Sequence, residues 1–592
     1  MDPDTFDIIV VGGGTAGCVL ASRLSEDQAL QVLLVEAGED LTTDPRTIAP
    51  SLGSSLLATS SNWGFETNPQ ESLGSRKTVA PAGRLLGGSS AINGFAFIPN
   101  SKANINAWAG LGNPGWDWSS FVKSMNRFCL AESLPVADSQ EHSPLQLTVP
   151  REDSEWPHVW RDTLATLGFP VTTDPLSDNI LGSLMGAETI CLDKKRSYSA
   201  NAYLNDSVRS RNNLTIWPQV LVERILFDKP NRTATAIQYR RVQDQTVRTA
   251  YARKEIVVSA GAINSPRLLE LSGIGDAKLL QRLGIDVVID NPNVGENLQN
   301  HPMCSLSFET LGEEGFQTID QLLRKDPEAI SAAQKAYSEG TGPASRSNLN
   351  VLAQLFLPHD NSLGGMLDSI KPHKDGTTKS IAEAQESFVY SILTSPSEAS
   401  GCYMTAPGFM SFAGDGTTVP PPPGTSKFFT IAVHLAHPLS RGSVHITSTS
   451  SPESSSGVLI DPKYFSHPLD LEILARHVQF IETIARTEPL SSHLKPGGQR
   501  GPDMLAPGDL TDLQTAKDFL SKRAKGAHHW TGSCSMAPQE LGGVIDHEMR
   551  VYGCRNLRIC DASIMPISPR SNIQGVVYAT AEHGAQIIKA TM

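Results

Sequence analysis

The chain of 592 residues holds only eight cysteines (18, 129, 191, 304, 402, 534, 554 and 560), none in a CxxC pair. Neither a disulfide framework nor a structural zinc site is implied, and the thiols are expected to be reduced. Long apolar runs are missing too. The uncharged stretch Ile8 to Ser22 is too short and too glycine-rich to span a bilayer. A secretory leader would need positive charge where the N-terminus has Asp2, Asp4 and Asp7. The formal net charge of −13 argues against nucleic acid or an anionic membrane surface as partner. There is no HExxH, no GxSxG and no internal repeat. What these absences leave is a cytoplasmic protein of two to four folded units, monomer or homodimer, acting on a small molecule.

What is present begins at residue 6. FDIIVV reads as a buried strand, GTAGCVLASRLSE as a helix and QVLLVEAG as a second strand, a βαβ opening. Between the first strand and the helix, Gly12, Gly14 and Gly17 with the intervening Thr15 and Ala16 give the GxGxxG spacing. It supplies a tight turn, close approach to a pyrophosphate and packing of helix on strand. Glu36 ends the second strand about twenty residues on, where a carboxylate accepts from ribose hydroxyls, so FAD or NAD is expected rather than NADP. Later, VRTAYARKEIVVSAGAINSPRLLELSGIG predicts a strand, a turn and a helix opened by Ser265-Pro266. Residues 315 to 430 are poorer in pattern, with GTGPASRSN and the run VPPPPG at 419 to 424 reading as loops or a surface crossing. FFTIAVHL, SRGSVHITS and SGVLIDPKYF alternate like half-buried antiparallel strands.

GRLLGGSSAIN at 83 to 93 and GAINSPRLLELSGIG at 261 to 275 resemble the two signature segments of the glucose–methanol–choline (GMC) oxidoreductases. VGENLQNHP, HPLSRGSV, IDPKYF, HHWTGSCSM and NLRICDASIMPISPRSNIQG follow in family order. The resemblance implies an α/β fold in which a Rossmann-like FAD-binding domain is interleaved with an antiparallel-sheet (α+β) substrate domain. Residues 1–315 would be mainly FAD-binding. Residues 316–430 would be a substrate-domain segment shaping the pocket entrance, and 431–592 the C-terminal region that returns to the FAD domain with the catalytic residues. It assigns FAD contacts to Arg84, Gly87, Gly88, Ser89, Asn93 and Gly94, to the backbone of Val222 beside the adenine, and to Asp561-Ala562 and Asn572-Ile573. For Asp561 the alternative is a helix or turn cap. Members that tether FAD covalently carry histidine where this chain has Ile92, so dissociable FAD is expected. FAFIPN departs from the family's Arg-Gly pair at Pro99-Asn100, and a local phosphate or loop contact is expected to be missing there.

Near the C-terminus, GAHHWTGSCSM offers two adjacent histidines. Consecutive residues point apart, so a shared metal is not expected, and Cys534 reads as packing rather than as a nucleophile. Alignment of HWTGSC with the family pattern places His529 in the catalytic position and leaves His528 a satisfied or supporting role. An alcohol carbon releases hydride as its O–H proton leaves, and neutral imidazole takes that proton near neutral pH. Asn572 occupies the partner position, where an amide donates to the substrate oxygen without titrating; it is also a good N-cap for the helix that follows. Oxygen or another acceptor would reoxidise the flavin. An FAD-containing hydroxynitrile lyase of the same family is the alternative, and a NAD-dependent dehydrogenase sharing only the βαβ opening a weaker one. Phe316, Leu349, Phe356 and Tyr403 would shape an entrance for an apolar or aromatic alcohol of secondary metabolism.

Overall fold

The computed structural model describes residues 4–592 except 99, 130–143, 150–153, 173, 175–176, 178–180, 229, 350, 357–362, 374–377, 450–454 and 502–507. Pro99 thus lies outside the described residues. Its neighbour Asn100 is buried, its Oδ1 accepting the backbone N–H groups of Ser101 and Arg570 at 3.0 Å each.

The opening folds as expected, with β1 (Thr5–Val11), α1 (Thr15–Leu24) and β2 (Val32–Val35). After a long excursion come β3 (Leu214–Trp217), β4 (Val220–Asp228), β5 (Thr233–Arg241) and β6 (Val247–Val258), then α2 (Gly261–Leu271). They form a sheet in the order β4-β5-β6-β1-β2-β3. Around β1 the pairing is parallel, and Ile8, Ile9 and Val10 are fully buried, as a strand covered on both faces must be.

The second sheet is built from β7 (Pro302–Glu309), β8 (Val351–Leu355), β9 (Gly401–Ala406) and β10 (Phe428–Leu435), in the order β7-β10-β9-β8 and continued by Gly182–Met185. Lys525–Gly526 pairs with β7. Two strands thus lie in the region where the sequence shows little pattern. Every residue of β8 and β9 is buried, so neither carries the alternation that marks a strand in sequence. All eight residues of β10 are buried as well, correcting the half-buried expectation for FFTIAVHL, because the helix Pro468–Ala485 packs against that strand. SRGSVHITS and SGVLIDPKYF do pair with each other, but in a separate three-stranded sheet.

The chain then returns to the first sheet. β11 (Leu557–Ile559) adds in parallel to β6, and α3 (Gln574–Thr591) packs along α1. The fully buried carboxylate of Glu582 on α3 ties the two ends of the chain together. It accepts from Arg23 Nη2 at 2.8 Å, Arg127 Nε at 2.9 Å and Tyr203 Oη at 2.7 Å, which compensates for its loss of water.

The helix expected to open at Ser265-Pro266 opens instead at Gly261, with Pro266 inside it. Two side chains remote in sequence make this possible. Asp561 Oδ2 accepts from Gly261 N–H and Ser265 Oγ–H, at 2.8 and 2.6 Å. Proline has no N–H to give the carbonyl of Ala262, and Ser533 Oγ–H donates to that carbonyl at 2.5 Å.

Candidate active site

A cavity with about 1590 Å³ of space including its mouth runs from the end of β1 and β2 to the foot of α3. The glycine turn after β1 forms one wall. Gly12 has φ +103, and a Cβ there would sit 2.5 Å from the carbonyl oxygen of Ser259. A Cβ on Gly17 would lie 1.8 Å from Gly12 O, which is why helix and turn can touch only through glycine. Gly17 itself does not reach the cavity; Gly12, Gly14, Thr15 and Ala16 do. Gly14 caps α1 without a side-chain bond, so the first N–H groups of the helix are free to face an anion.

Glu36 lines the same end. Its Oε2 accepts from Gly13 N–H and its Oε1 from Gly38 N–H, both at 2.8 Å, so it braces two turns. Burial pushes its carboxyl up to about 7 against the pull of those N–H groups.

The loop expected to bind the flavin faces the first turn. Gly88 has φ +53, and a Cβ on it would fall 2.7 Å from Gly14 Cα, so two bare backbones pass each other. Gly88, Ser89, Asn93 and Gly94 line the cavity. Gly87 and Arg84 do not. Gly87 is needed because its Cβ would strike the ring of Tyr198 at 2.5 Å, and Arg84 lies over the Trp63 ring at 4.9 Å. Asn93 spans from this loop to α3, donating through Nδ2 to Gln574 Oε1 at 2.9 Å. Val222 lines the cavity from β4, and Asp561, Ala562 and Ile573 line it from the C-terminal region. Both carboxylate oxygens of Asp561 are engaged as caps, Oδ1 accepting from Ser563 N–H at 2.7 Å, which is the alternative weighed for that residue.

At the far end lie the two histidines. The segment after Lys525–Gly526 runs beside β7, and the N–H of His529 donates to Asn300 Oδ1 at 2.8 Å. Its Nε2 is 3.2 Å from Asn572 Nδ2, and its Nδ1 is 2.8 Å from Nδ1 of His301. Donation from the Asn572 amide leaves Nε2 of His529 as acceptor; the proton then sits on Nδ1 and points at His301. The ring of His434 stands 5.8 Å from that of His529. Burial, helped by the neighbouring His434, lowers the His529 imidazole to about 3, and burial alone takes His434 to about 4. The cluster is therefore neutral near pH 7.

Asn572 is not the cap of α3: that position is Ile573, and the asparagine side chain goes to the histidine instead. His528 is not satisfied, for its Nδ1 is buried with no partner while the residue lines the cavity. The four residues expected at the entrance lie outside the cavity lining. Phe316 packs on Trp156, Phe356 on Phe169, the Leu349 N–H bonds Ser347 Oγ, and Tyr403 Oη bonds Nδ1 of His477. Sequence had marked His301 only as part of a family motif, with no sign of its contact 228 residues away.

A dinucleotide fits this cavity. Its diphosphate end is bare glycine backbone with free helix N–H groups. Toward the other end, Asn264 Oδ1 and Trp530 Nε1 belong to lining residues and are buried without a protein partner, as groups awaiting a ring system's donors and acceptors are. A glycine turn shaped for a dinucleotide and a neutral, buried histidine thus face one cavity, as a dinucleotide-dependent oxidoreductase requires.

The GMC oxidoreductase models match residues 6–303 and 438–581, and the chain belongs to that family of FAD-dependent oxidases and dehydrogenases. It is 33% identical to the GMC oxidoreductase family protein Mala s 12 of Malassezia sympodialis over 99% of this chain and 93% of that one. It is 32% identical to the dehydrogenase citC of Monascus ruber over 99% and 96%. Among solved structures, a formate oxidase superposes with a TM-score of 0.85 at 25% identity, covering 100% of this chain and 99% of the other. Such coverage sets aside a dehydrogenase sharing only the first βαβ unit. Among the described residues no helix is long and apolar enough to cross a membrane, and no cluster of His, Cys, Asp or Glu is arranged to hold a metal ion.

Proposed function

We propose that the protein oxidises an apolar or aromatic alcohol to the aldehyde or ketone, with His529 as the base and Asn572 as the donor that holds the substrate oxygen. The contact of His529 Nε2 with Asn572 Nδ2 carries the reading, because a single hydroxyl seated there would meet an acceptor and a donor together. The carbinol proton passes to Nε2 as the α-hydrogen leaves with its electron pair. Bound FAD supplies the acceptor for that pair, and oxygen or another oxidant restores it. His301 Nδ1 accepts from Nδ1–H of His529 throughout, fixing the tautomer and easing the positive charge that forms.

The glycine turns at 12–17 and 87–88, with Ser89, Asn93, Gly94, Glu36, Val222, Ala562 and Ile573, would hold the FAD, and Arg84 and Asp561 would brace the loops around it. Ile92 offers no nucleophile for a covalent tether, so the cofactor is dissociable. Acid precipitation should release the yellow colour into the supernatant; colour in the pellet would refute this. Anaerobic mixing with benzyl alcohol and related alcohols should bleach the flavin. A flavin that every alcohol leaves oxidised would instead favour hydroxynitrile cleavage.

A further inference from the structure

Phe95 lines the cavity with a φ of +69, a left-handed backbone that a bulky side chain rarely adopts. A chain of hydrogen bonds holds it there. Its N–H donates to Asn93 Oδ1 at 3.1 Å, and its carbonyl accepts from Thr189 N–H and from Gln574 Nε2, both at 3.0 Å. Gln574, the first residue of α3, also donates to Ala96 O at 2.6 Å and accepts from Asn93. Asn93, Phe95, Ala96 and Gln574 all line the cavity, as does Asn572 two residues before Gln574. The network therefore frames the end that His529 faces. Backbone strain held by this many bonds points to a function.

One guanidinium ties the network together. Arg196 Nη1 donates to Asn93 Oδ1 at 2.9 Å, to Asn93 O at 3.0 Å and to Ser90 O at 3.3 Å. Its Cζ sits 3.7 Å from the centroid of the Phe95 ring, whose face receives the cation. Arg196 is 1% exposed, and its Nε is buried without a hydrogen-bond partner. Burial lowers the guanidinium to about 9, which leaves it charged at neutral pH, and among the described residues no carboxylate forms an ion pair with it. A missing side chain makes its seat. A Cβ on Gly53 would fall 2.5 Å from Arg196 Nη2.

A buried cation without a carboxylate is costly, and the carbonyls and the ring face offset only part of that cost. Negative charge arriving in the cavity would offset more, and the reaction delivers it. As the α C–H bond of the alcohol breaks, its electron pair leaves with the hydrogen as hydride for the FAD, while the O–H proton goes to His529. The alcohol is oxidised, the cofactor is reduced, and one negative charge has crossed to the cofactor side. We propose that Arg196 is a positioning residue for this step: through Asn93 it fixes the wall against which the reacting ring of FAD seats, and its charge behind that wall favours the reduced cofactor. The seating of the ring at this end rests on His529 as the base, whereas the test uses no alcohol.

The test is the two-electron midpoint potential of the holoenzyme, titrated with a chemical reductant and a reference dye, together with FAD dissociation read from flavin fluorescence. A unit charge about 10 Å away at an effective dielectric of about 20 favours the reduced form roughly tenfold. Arg196→Met should therefore lower the potential by about 30 mV, the equivalent of tenfold for a two-electron couple, and should weaken FAD binding. Arg196→Lys keeps a charge without the planar fork, so it should restore most of the potential and little of the affinity. Gly53→Ala, outside the cavity lining, displaces Nη2 and should lower the potential in the same direction by less. An unchanged potential in Arg196→Met, or a potential in Arg196→Lys as low as in Arg196→Met, overturns the proposal. Should Arg196→Met fail to fold or to hold FAD, Gly53→Ala decides, and a potential equal to that of the unaltered protein overturns it. Bleaching by alcohols is measured separately: its absence would refute alcohol oxidation and leave these potentials as they are.

Discussion

The two ends of the cavity are built from different materials. At the nucleotide end the wall is backbone, and its shape depends on side chains that are missing: Gly12, Gly17 and Gly88 sit where a single added carbon would fall within 2.7 Å of another backbone atom. At the catalytic end the wall is side chains, and its chemistry depends on which nitrogen carries a proton. The first end is specified by sterics within short stretches of chain. The second is specified by hydrogen bonds between residues that lie from 43 to 229 positions apart. Damage should therefore act differently at the two ends, abolishing cofactor binding at one and slowing a reaction in a loaded enzyme at the other.

The sharpest way to break that contrast is Gly88→Val, which places a branched side chain against Gly14. The protein should purify without flavin; a yellow variant would mean that the two turns can separate. Next comes His529→Ala, which should keep its FAD and lose about 10²- to 10⁴-fold in the rate of anaerobic flavin reduction. Loss of flavin from this variant would erase the distinction between the ends. Asn572→Ala should slow the same step by about 10²-fold, as removal of a donor to a developing oxyanion does, with little change in melting temperature, since Ile573 and not Asn572 caps α3.

The pH response sharpens the comparison further. His434 is held at about 4, His437, His477 and His529 at about 3, and His301 well below its ordinary value, each chiefly by burial. In the unfolded chain histidine titrates near 6.5. Between these values the unfolded state binds protons that the folded state does not, so stability is fully present above about 6.5 and falls as pH drops toward the folded values. The melting temperature should therefore decline from pH 7 to pH 5, while flavin reduction shows no histidine-like loss over the same range. His445 works the other way: burial opposes its charge, but Glu270 and Glu296 raise it to about 9, so its contribution is full below about 6.5 and is lost as pH rises toward 9. The smallest effect belongs to Ser533→Ala, which strips the carbonyl of Ala262 of its donor and should cost about 1–3 kcal/mol in chemical denaturation.

Legibility in the sequence follows the same division. The βαβ opening, the glycine turns and Glu36 could be read because strand, turn and helix are contiguous and each leaves a local signal. The His529–Asn572 pair was legible only through family resemblance, for nothing near either residue announces the other. His301 was quoted within a motif yet given no role, because its partner lies 228 residues away and is brought beside it only by the pairing of Lys525–Gly526 with β7. β8 and β9 escaped notice because burial on both faces erases the period of two. Pro266 misplaced the start of α2, since the groups that extend the helix ahead of it, Asp561 and Ser533, come nearly three hundred residues later.

The position of β11 and α3 has a consequence for biosynthesis. The first sheet waits through some three hundred residues of nascent chain, from Val258 to Leu557, with the flank of β6 uncovered. Glu582 likewise leaves the ribosome long after the arginines it joins. A nascent flavin pocket cannot close before β11 and α3 have been made, and the strand edge stays uncovered in the interval.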